Sequence, residues 1–369
     1  MKKLSQTNRD QNLIATQDVA TVQPETQPKS APILVTLFEY SAKSCIEKTL
    51  TAVEIGFYQP PKNAKLWLNV HGVHDVDLIT KIGEKFKLHP LVVEDILNTE
   101  QRPKLDTFDD YLFVETNCFY YDSAELAISA EQVSIVLDRN YLLTFQERST
   151  GIFEPIRERL RAEKGQMRSL GVDYLAYAIL DAIVDKYFGI LECMADDCEA
   201  LEDALLNHPS SKELHNLHQL KRASIDLRRS VWPLREVINH LTRNETNFVA
   251  ANTLPYMRDV YDHTVNFIES LEAQRDMLAG MMDIYLSSVS QRVNLELRAL
   301  TVVAMLFMPA TLIAGIFGMN FRHMPWTDHY NGFWYAMAIM LGIAVLMGLI
   351  FWRRQWINRS TFSIRKTED

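Results

Sequence analysis

Apolar residues recur at helical spacing through the C-terminal half of the chain. From Leu254 to Phe317 they return every three or four positions, and no proline interrupts the run between Pro255 and Pro309. Pro255 is compatible with the first turn of a helix, where a backbone N–H is not needed. The pattern therefore predicts one continuous helix over Leu254–Phe317. Two more helices are predicted before it, at residues 172–206 and 211–243.

Short strand-like runs mark the part of the chain that precedes these helices. They cover residues 33–38, 65–70, 111–114 and 133–137, and helical stretches separate them. Runs rich in β-branched and aromatic residues that alternate with helices are typical of an α/β domain, which we place at residues 32–170. Residues 1–31 are rich in Gln, Thr, Ser and Pro and lack the apolar core of a signal peptide. We expect them to form a disordered tail.

Two stretches near the C-terminus, residues 299–317 and 332–352, contain no charged residue. Each is close to the roughly 20 residues that a helix needs to cross the hydrocarbon core of a bilayer. A single charge at mid-bilayer costs at least ~2.5 kcal/mol, so two uncharged stretches strongly favour two membrane spans. The alternative, a pair of buried core helices, is disfavoured because both stretches carry membrane-type flanks.

The predicted fold class is α+β, with an N-terminal cytoplasmic α/β domain, a long helical stalk and two C-terminal transmembrane helices. The stalk and its flanking helices take residues 171–298, and the first span takes residues 299–320. An outer loop at 321–331, a second span at 332–352 and a basic tail at 353–369 complete the chain.

The flanks of the two spans predict their orientation. Basic residues precede the first span and follow the second, whereas the connecting loop holds one basic residue, Arg322. The positive-inside rule places both chain ends in the cytoplasm and the short loop outside. Tryptophan and tyrosine cluster at both edges of the spans, as in interfacial aromatic belts.

Composition narrows the possible functions. The formal net charge is −9, which argues against non-specific nucleic-acid binding because that needs a basic surface. The four cysteines have neither zinc-site nor disulfide-framework spacing, so we expect reduced thiols. No catalytic constellation can be argued from the sequence, and we do not expect an enzyme.

The first span differs from the second because polar and small residues interrupt it. Leu297, Leu300, Ala304, Met308, Thr311 and Gly315 follow one another in steps of three and four, which places them on one helical face. Small residues and a threonine can simply help membrane helices to pack. The same face could instead line a pore in a ring of such helices, and the pattern alone leaves both interpretations open.

The triplet Gly318-Met319-Asn320 follows directly at the outer end of the first span. In this position it resembles the mark of the CorA family of magnesium transporters. The likeness extends to residues 308–309 and 314–315, to the segment HPLVVEDILN at 89–98 with QRPK at 101–104, and to DIYLSSVS at 283–290. It covers the chain from about residue 34 to residue 357.

The resemblance implies a funnel-shaped homopentamer in the bacterial inner membrane that passes Mg²⁺, and also Co²⁺ and Ni²⁺, down the membrane potential. It implies that Gly318, Met319 and Asn320 form the selectivity filter. Inner pore positions and a gate would be formed by Asn294, Leu297, Leu300, Met308, Thr311 and Gly315. It also implies a regulatory Mg²⁺ site between neighbouring subunits, with Asp95 and Asp283 as ligands.

The outer loop departs from the family pattern. Arg322 and Trp326 stand where the magnesium branch commonly has acidic residues, so the attraction of cations to the mouth should be weaker. A zinc transporter of the same superfamily therefore remains an alternative, although Met319 favours magnesium. A membrane-anchored Mg²⁺ sensor that does not conduct is a further alternative, against which the polar pore-face residues argue.

Overall fold

The computed structural model of the protein describes residues 33–58, 64–99, 101–207, 209–243, 247–319 and 330–353. The chain divides into two compact units, Met1–Met282 and Asp283–Asp369. A β-sheet with its covering helices lies in the first unit. The second unit holds the C-terminal part of a long helix and the last helix of the described chain.

The centre of the first unit is a mixed sheet of seven strands in the order β2-β1-β3-β7-β6-β5-β4. Strands β3 and β7 are parallel, and the other neighbours are antiparallel. Short connections within the pairs β1–β2, β5–β6 and β6–β7 favour antiparallel pairing, whereas a parallel pair needs a long crossover. The strands are β1 Leu34–Tyr40, β2 Cys45–Leu50, β3 Lys65–His71, β4 Lys104–Thr107, β5 Leu112–Asp122, β6 Ala127–Leu137 and β7 Tyr141–Gln146.

One apolar cluster joins the sheet to three short helices, α1 Ala52–Phe57, α2 Val76–Phe86 and α3 Pro90–Leu97. Alternate residues of β3 enter this cluster with residues of α2 and α3: Leu66, Leu68, Val70, Ile79, Ile82, Val92 and Ile96. Asp75 caps α2 by accepting a hydrogen bond from the Leu78 N–H at 3.0 Å. The buried face of α3 fixes the position of Asp95, near the end of this helix, beside Lys104 of β4.

The intervening residues of β3 form a second buried layer. Trp67 stacks on Phe38 at 5.1 Å between ring centroids and meets Phe153 edge-on at 6.4 Å. Its indole N–H donates to the Thr144 hydroxyl at 3.0 Å, so its polar atom is satisfied. Further helices follow in this part of the chain: α4 Glu154–Arg161, α5 Val172–Asn207 and α6 Ser211–Thr242.

The helix α7, Leu254–Phe317, has 64 residues. Its first part is buried within the first unit on a stripe that recurs every three or four residues and includes Met257, Val260, Phe267, Leu271, Leu278 and Met281. Phe267 lies 5.5 Å from the ring of Tyr187 on α5. The last described helix is α8, Gly332–Arg353.

Two helices, α7 and α8, are long and apolar enough to cross a membrane. None of the apolar window in α7 and 6% of that in α8 is buried. Apolar surface of this extent is costly in water, so lipid or other chains must cover it.

The predicted fold class, an N-terminal sheet domain with a long helix and two C-terminal apolar helices, is confirmed. The long helix begins and ends at the predicted residues, and α5 and α6 agree with their predictions to within one residue at each end. Strands β2, β4 and β7 were not predicted. The sheet is also mostly antiparallel, because hairpins rather than helices connect several of its strands.

Candidate functional site

The predicted pore positions of α7 share one exposed face. At 100° per residue, about 80° of the helix circumference contains Leu297, Leu300, Ala304, Met308, Thr311 and Gly315. Leu297, Leu300 and Met308 are 55%, 67% and 67% exposed in the single chain. Three large apolar side chains on one exposed face need a covering surface. The structure therefore supports the predicted grouping of these residues on one face.

A polar groove and an apolar groove lie along α7 within the second unit. The polar groove includes Asn294 and is lined by Ser287, Ser290, Gln291, Asn294, Leu295 and Arg298. The apolar groove brings together the predicted positions Met308, Thr311, Gly315 and Met319, beside Ala304, Phe307, Leu312 and Ile316. Leu297 and Leu300 line neither groove.

Thr311 is the main polar group in the apolar groove. Its hydroxyl donates to the carbonyl of Phe307, one turn earlier, at 2.9 Å. Bonding back to the helix leaves the oxygen able to accept a hydrogen bond from a water molecule. At Gly315, an added Cβ would meet no other atom within 4 Å, so the small residue is not required for packing within one chain. Its open surface would allow close approach by a neighbouring helix.

The helix α7 ends at the predicted filter. The Gly318 N–H donates to the Ala314 carbonyl at 2.9 Å, and the Met319 N–H donates to the Ile316 carbonyl at 3.2 Å. The second bond joins residues three apart and tightens the last turn, as at many helix C-termini. Met319 is 53% exposed. Asn320, the third predicted filter residue, lies outside the described residues.

Asp95 has partners within its own chain. One carboxylate oxygen lies 2.5 Å from the Lys104 ammonium, and the other accepts from the Gln101 amide at 3.2 Å. Lys104 also lies 3.4 Å from Asp106 and 3.9 Å from Glu115. Burial raises the pKa of Glu115 to about 8, although Lys104 acts against this rise. The predicted metal ligand is thus part of a charge network that the sequence did not reveal.

Asp283, the other predicted regulatory ligand, is exposed on α7. It belongs to the second unit, whereas Asp95 belongs to the first. The structure describes each carboxylate in its own unit, and the predicted pairing of the two across subunits stays a prediction.

A second group of possible metal ligands was missed from the sequence. Ligand atoms of Asp181, Asp185 and His263 lie within 4.8 Å of one another. Burial, and then the charge of Asp185, raise the pKa of Asp181 to about 6. The Nδ1 atom of His263 is buried and has no hydrogen-bond partner within the described chain. Two carboxylates and one imidazole can bind a divalent transition-metal ion such as Co²⁺.

The two carboxylates of this cluster repel each other. The half-buried Asp181 and the exposed Asp185 each disfavour the charge on the other, and a dication relieves that cost. The spacing of Asp181 and Asp185 by four residues places them on one face of α5, which was a weak sequence signal. His263 is far away in the sequence, and only the packing of α7 against α5 brings it to them.

Comparison with known proteins identifies the family to which this chain is similar. The family model described as "CorA-like Mg2+ transporter protein" matches residues 62–354, a range that contains both apolar helices. The chain is 41% identical over 323 residues to the "Cobalt/magnesium transport protein CorA" of Thermotoga maritima, covering 88% of this chain and 92% of that protein. It is 25% identical over 293 residues to the protein of the same name from Methanocaldococcus jannaschii, covering 79% and 91% of the two chains.

A solved structure supports the fold independently. The CorA magnesium transporter of Methanocaldococcus jannaschii matches with a TM-score of 0.75 at 23% identity, over 89% of this chain and 99% of that one. At this identity the likeness concerns the fold alone. The sequence matches extend over most of the chain and include both apolar helices. They show that this protein belongs to the CorA-like Mg²⁺ transporter family.

Proposed function

We propose that this protein is a divalent-cation channel that carries Mg²⁺ and Co²⁺ across a membrane. The observation that carries the proposal is the 41% identity to a cobalt/magnesium transport protein over 92% of that protein's length. The two exposed apolar helices supply the membrane-spanning part that such a function needs. The Thr311 hydroxyl within the apolar groove favours a conducting helix over a scaffold that only binds cations.

In the proposed channel, five copies of the chain surround a pore lined by α7. Leu297, Leu300 and Met308 would form an apolar constriction, which can gate by losing its water. Thr311 would face the same pore, where its oxygen can accept hydrogen bonds from the waters around a cation. Gly315 would allow the helices to approach closely near the outer end, and Asn294 would lie at the inner mouth.

Asn320 is proposed as the outer selectivity ring, with Gly318 and Met319 beside it. Mg²⁺ holds its waters tightly and loses them slowly, so a site that passes the ion quickly should bind the hydrated ion. Amide oxygens accept hydrogen bonds from those waters without carrying a full charge. A ring of carboxylates would bind more strongly, and conduction requires that the ion can leave.

Regulation is proposed at Asp95 and Asp283, contributed by neighbouring subunits. A Mg²⁺ ion between the two carboxylates would hold the closed state, and loss of the ion would let them repel. At ~4 Å and an effective dielectric near 20, the repulsion is at most about 4 kcal/mol for each interface. Shifting a gate from 1:99 to 99:1 takes about 5.5 kcal/mol, so several interfaces would have to act together.

We also propose that both chain ends lie in the cytoplasm and that the membrane is a bacterial inner membrane. Support comes from the basic residues at the cytoplasmic flanks: Arg292, Arg298, Arg353, Arg354, Arg359, Arg365 and Lys366. The loop between the spans holds only Arg322 among basic residues, which favours its placement outside.

The test is Mg²⁺ uptake into proteoliposomes that contain a Mg²⁺-sensitive dye and carry an inside-negative potential. Wild type should admit Mg²⁺ and Co²⁺, and Asn320→Ala should lose most of the Mg²⁺ flux. Asn331→Ala, which changes an exposed asparagine just before α8, is the matched control and should leave the flux unchanged. Entry of Zn²⁺ but not Mg²⁺ would identify a zinc transporter, and the absence of any flux would favour a non-conducting sensor.

A further inference from the structure

Both carboxylate oxygens of Asp95 already have a donor from the same chain. The Lys104 ammonium lies 2.5 Å from one oxygen, and the Gln101 amide nitrogen lies 3.2 Å from the other. The Asp95 side chain is only 17% exposed, so water does not screen this arrangement fully. A cation that approaches Asp95 therefore meets a carboxylate whose charge an ammonium already shares.

Strand pairing holds Lys104 in this position. Lys104 on β4 lies opposite Glu115 on β5 in the antiparallel register, and its ammonium lies 5.7 Å from the centre of the Phe113 ring. Carboxylate oxygens of Asp95, Asp106 and Glu115 all lie within 4 Å of this ammonium. Lys104 is therefore a fixed positive charge at Asp95.

We propose that Lys104 acts as a tethered cation that competes with Mg²⁺ for Asp95 and keeps the affinity of the regulatory site low. The inference rests on the proposed regulatory role of Asp95 and makes Lys104 a positioning residue for that site. The affinity of an oxygen-ligand site depends on the number of charges that its ligands carry, and an ammonium beside a ligand lowers that number.

The same contact eases the release of the ion. A partly buried carboxylate that loses its only positive partner is left in an unfavourable state. With Lys104 in place, Asp95 keeps a positive partner when Mg²⁺ leaves, so the repulsion from Asp283 stays below its upper limit and release costs less. A regulatory site must follow changes in the free Mg²⁺ concentration, and both effects of Lys104 favour a weak, readily reversed interaction.

The test measures the internal Mg²⁺ concentration that half-inhibits flux through the full-length channel in proteoliposomes. We expect Lys104→Met to lower this concentration about tenfold. The partly exposed pair of Lys104 and Asp95 alone changes the affinity for a cation modestly, and the double charge of Mg²⁺ enlarges that change. Lys104→Arg keeps the charge and should stay near wild type. Lys48→Met is the matched control, because Lys48 pairs with Glu39 at 3.5 Å on another part of the sheet.

Loss of Lys104 also removes the neighbour of a buried acid, and a folding defect must be separated from the effect on Mg²⁺. The double variant Lys104→Met/Glu115→Gln removes that acid as well and should show the same lowered midpoint. Destabilisation alone would weaken the response to Mg²⁺, whereas the inference requires a stronger one. The double variant Lys104→Met/Asp95→Asn should lose the gain, because Lys104 acts through Asp95.

The outcomes distinguish a failure of the regulatory role of Asp95 from a failure of the competing role of Lys104. If Asp95→Asn leaves inhibition by internal Mg²⁺ unchanged, the proposed regulatory role of Asp95 fails, and the role of Lys104 fails with it. Asp95→Asn could weaken inhibition while Lys104→Met and Lys104→Met/Glu115→Gln leave the midpoint unchanged or raise it. The regulatory site then stands, and the competing role of Lys104 is wrong.

Discussion

His71 offers a quantitative test of the fold of the first unit. The side chain lies at the end of β3, is 6% exposed and has its Nε2 atom 3.2 Å from Arg157. Burial, and then the positive charge of Arg157, lower the pKa of His71 to about 4. The folded protein therefore keeps this imidazole neutral at pH values where the unfolded chain, with a pKa near ~6.5, takes up a proton.

Acidification destabilises the folded protein through His71. Well above pH ~6.5 the imidazole is neutral in both states, and stability hardly depends on it. As the pH falls towards 4, the unfolded chain binds a proton that the folded protein does not bind, and stability is lost. Between pH 7.5 and pH 5 the two pKa values predict a loss of about 2 kcal/mol from this group, or about 4–8 °C in melting temperature.

The assay is thermal melting of the full-length protein in detergent with a chelator, at pH 7.5 and pH 5. His71→Gln keeps a neutral polar side chain and should lose less melting temperature than wild type on acidification, by about 4–8 °C. His74→Gln, which changes an exposed histidine three residues away, should behave like wild type. An equal loss for His71→Gln and wild type would refute the argument that His71 is buried and neutral.

Two further predictions concern the helices of the first unit. Co²⁺ should raise the melting temperature of wild type, and Asp181→Asn should reduce that rise because it removes one of three clustered ligands, whereas Asp226→Asn on the exposed side of α6 should not. Phe267→Ala should lower the free energy of unfolding by about 3–5 kcal/mol, because the ring is fully buried against Tyr187, and denaturant titration measures the loss. Met277→Ala on the same helix, 40% exposed, should cost much less.

The long helices could be predicted because their signal lies within each segment. Apolar spacing, the positions of proline and the absence of charge set the ends of α7 almost without reference to the rest of the chain. The missed strands had no comparable signal. β2 has no buried residue and β4 is a four-residue edge strand, so neither shows an alternation of buried and exposed positions. β7 is a short buried run, which periodicity does not distinguish from part of a helix.

The candidate site likewise has features that one segment of the sequence indicates and contacts that it does not. Positions on one face of α7 follow from steps of three and four, so their grouping was predictable from the sequence. Contacts between distant segments were not: His263 reaches Asp181 through helix packing, and Lys104 reaches Asp95 through the placement of α3 beside β4. Buried polar groups such as Asn69 and Gln146 were equally invisible, since their residue types usually indicate exposed positions.

Asp95 and Asp181 illustrate why aspartates alone do not define a cation site. Asp95 faces an ammonium, so a Mg²⁺ ion that binds it must displace a positive charge. Asp181 faces the like charge of Asp185, so an ion that binds there relieves a repulsion that the fold maintains. The surroundings therefore oppose cation binding at the first carboxylate and favour it at the second. Two aspartates of one unit can in this way differ in their affinity for a cation, and the difference comes from neighbours in space rather than from the residue type.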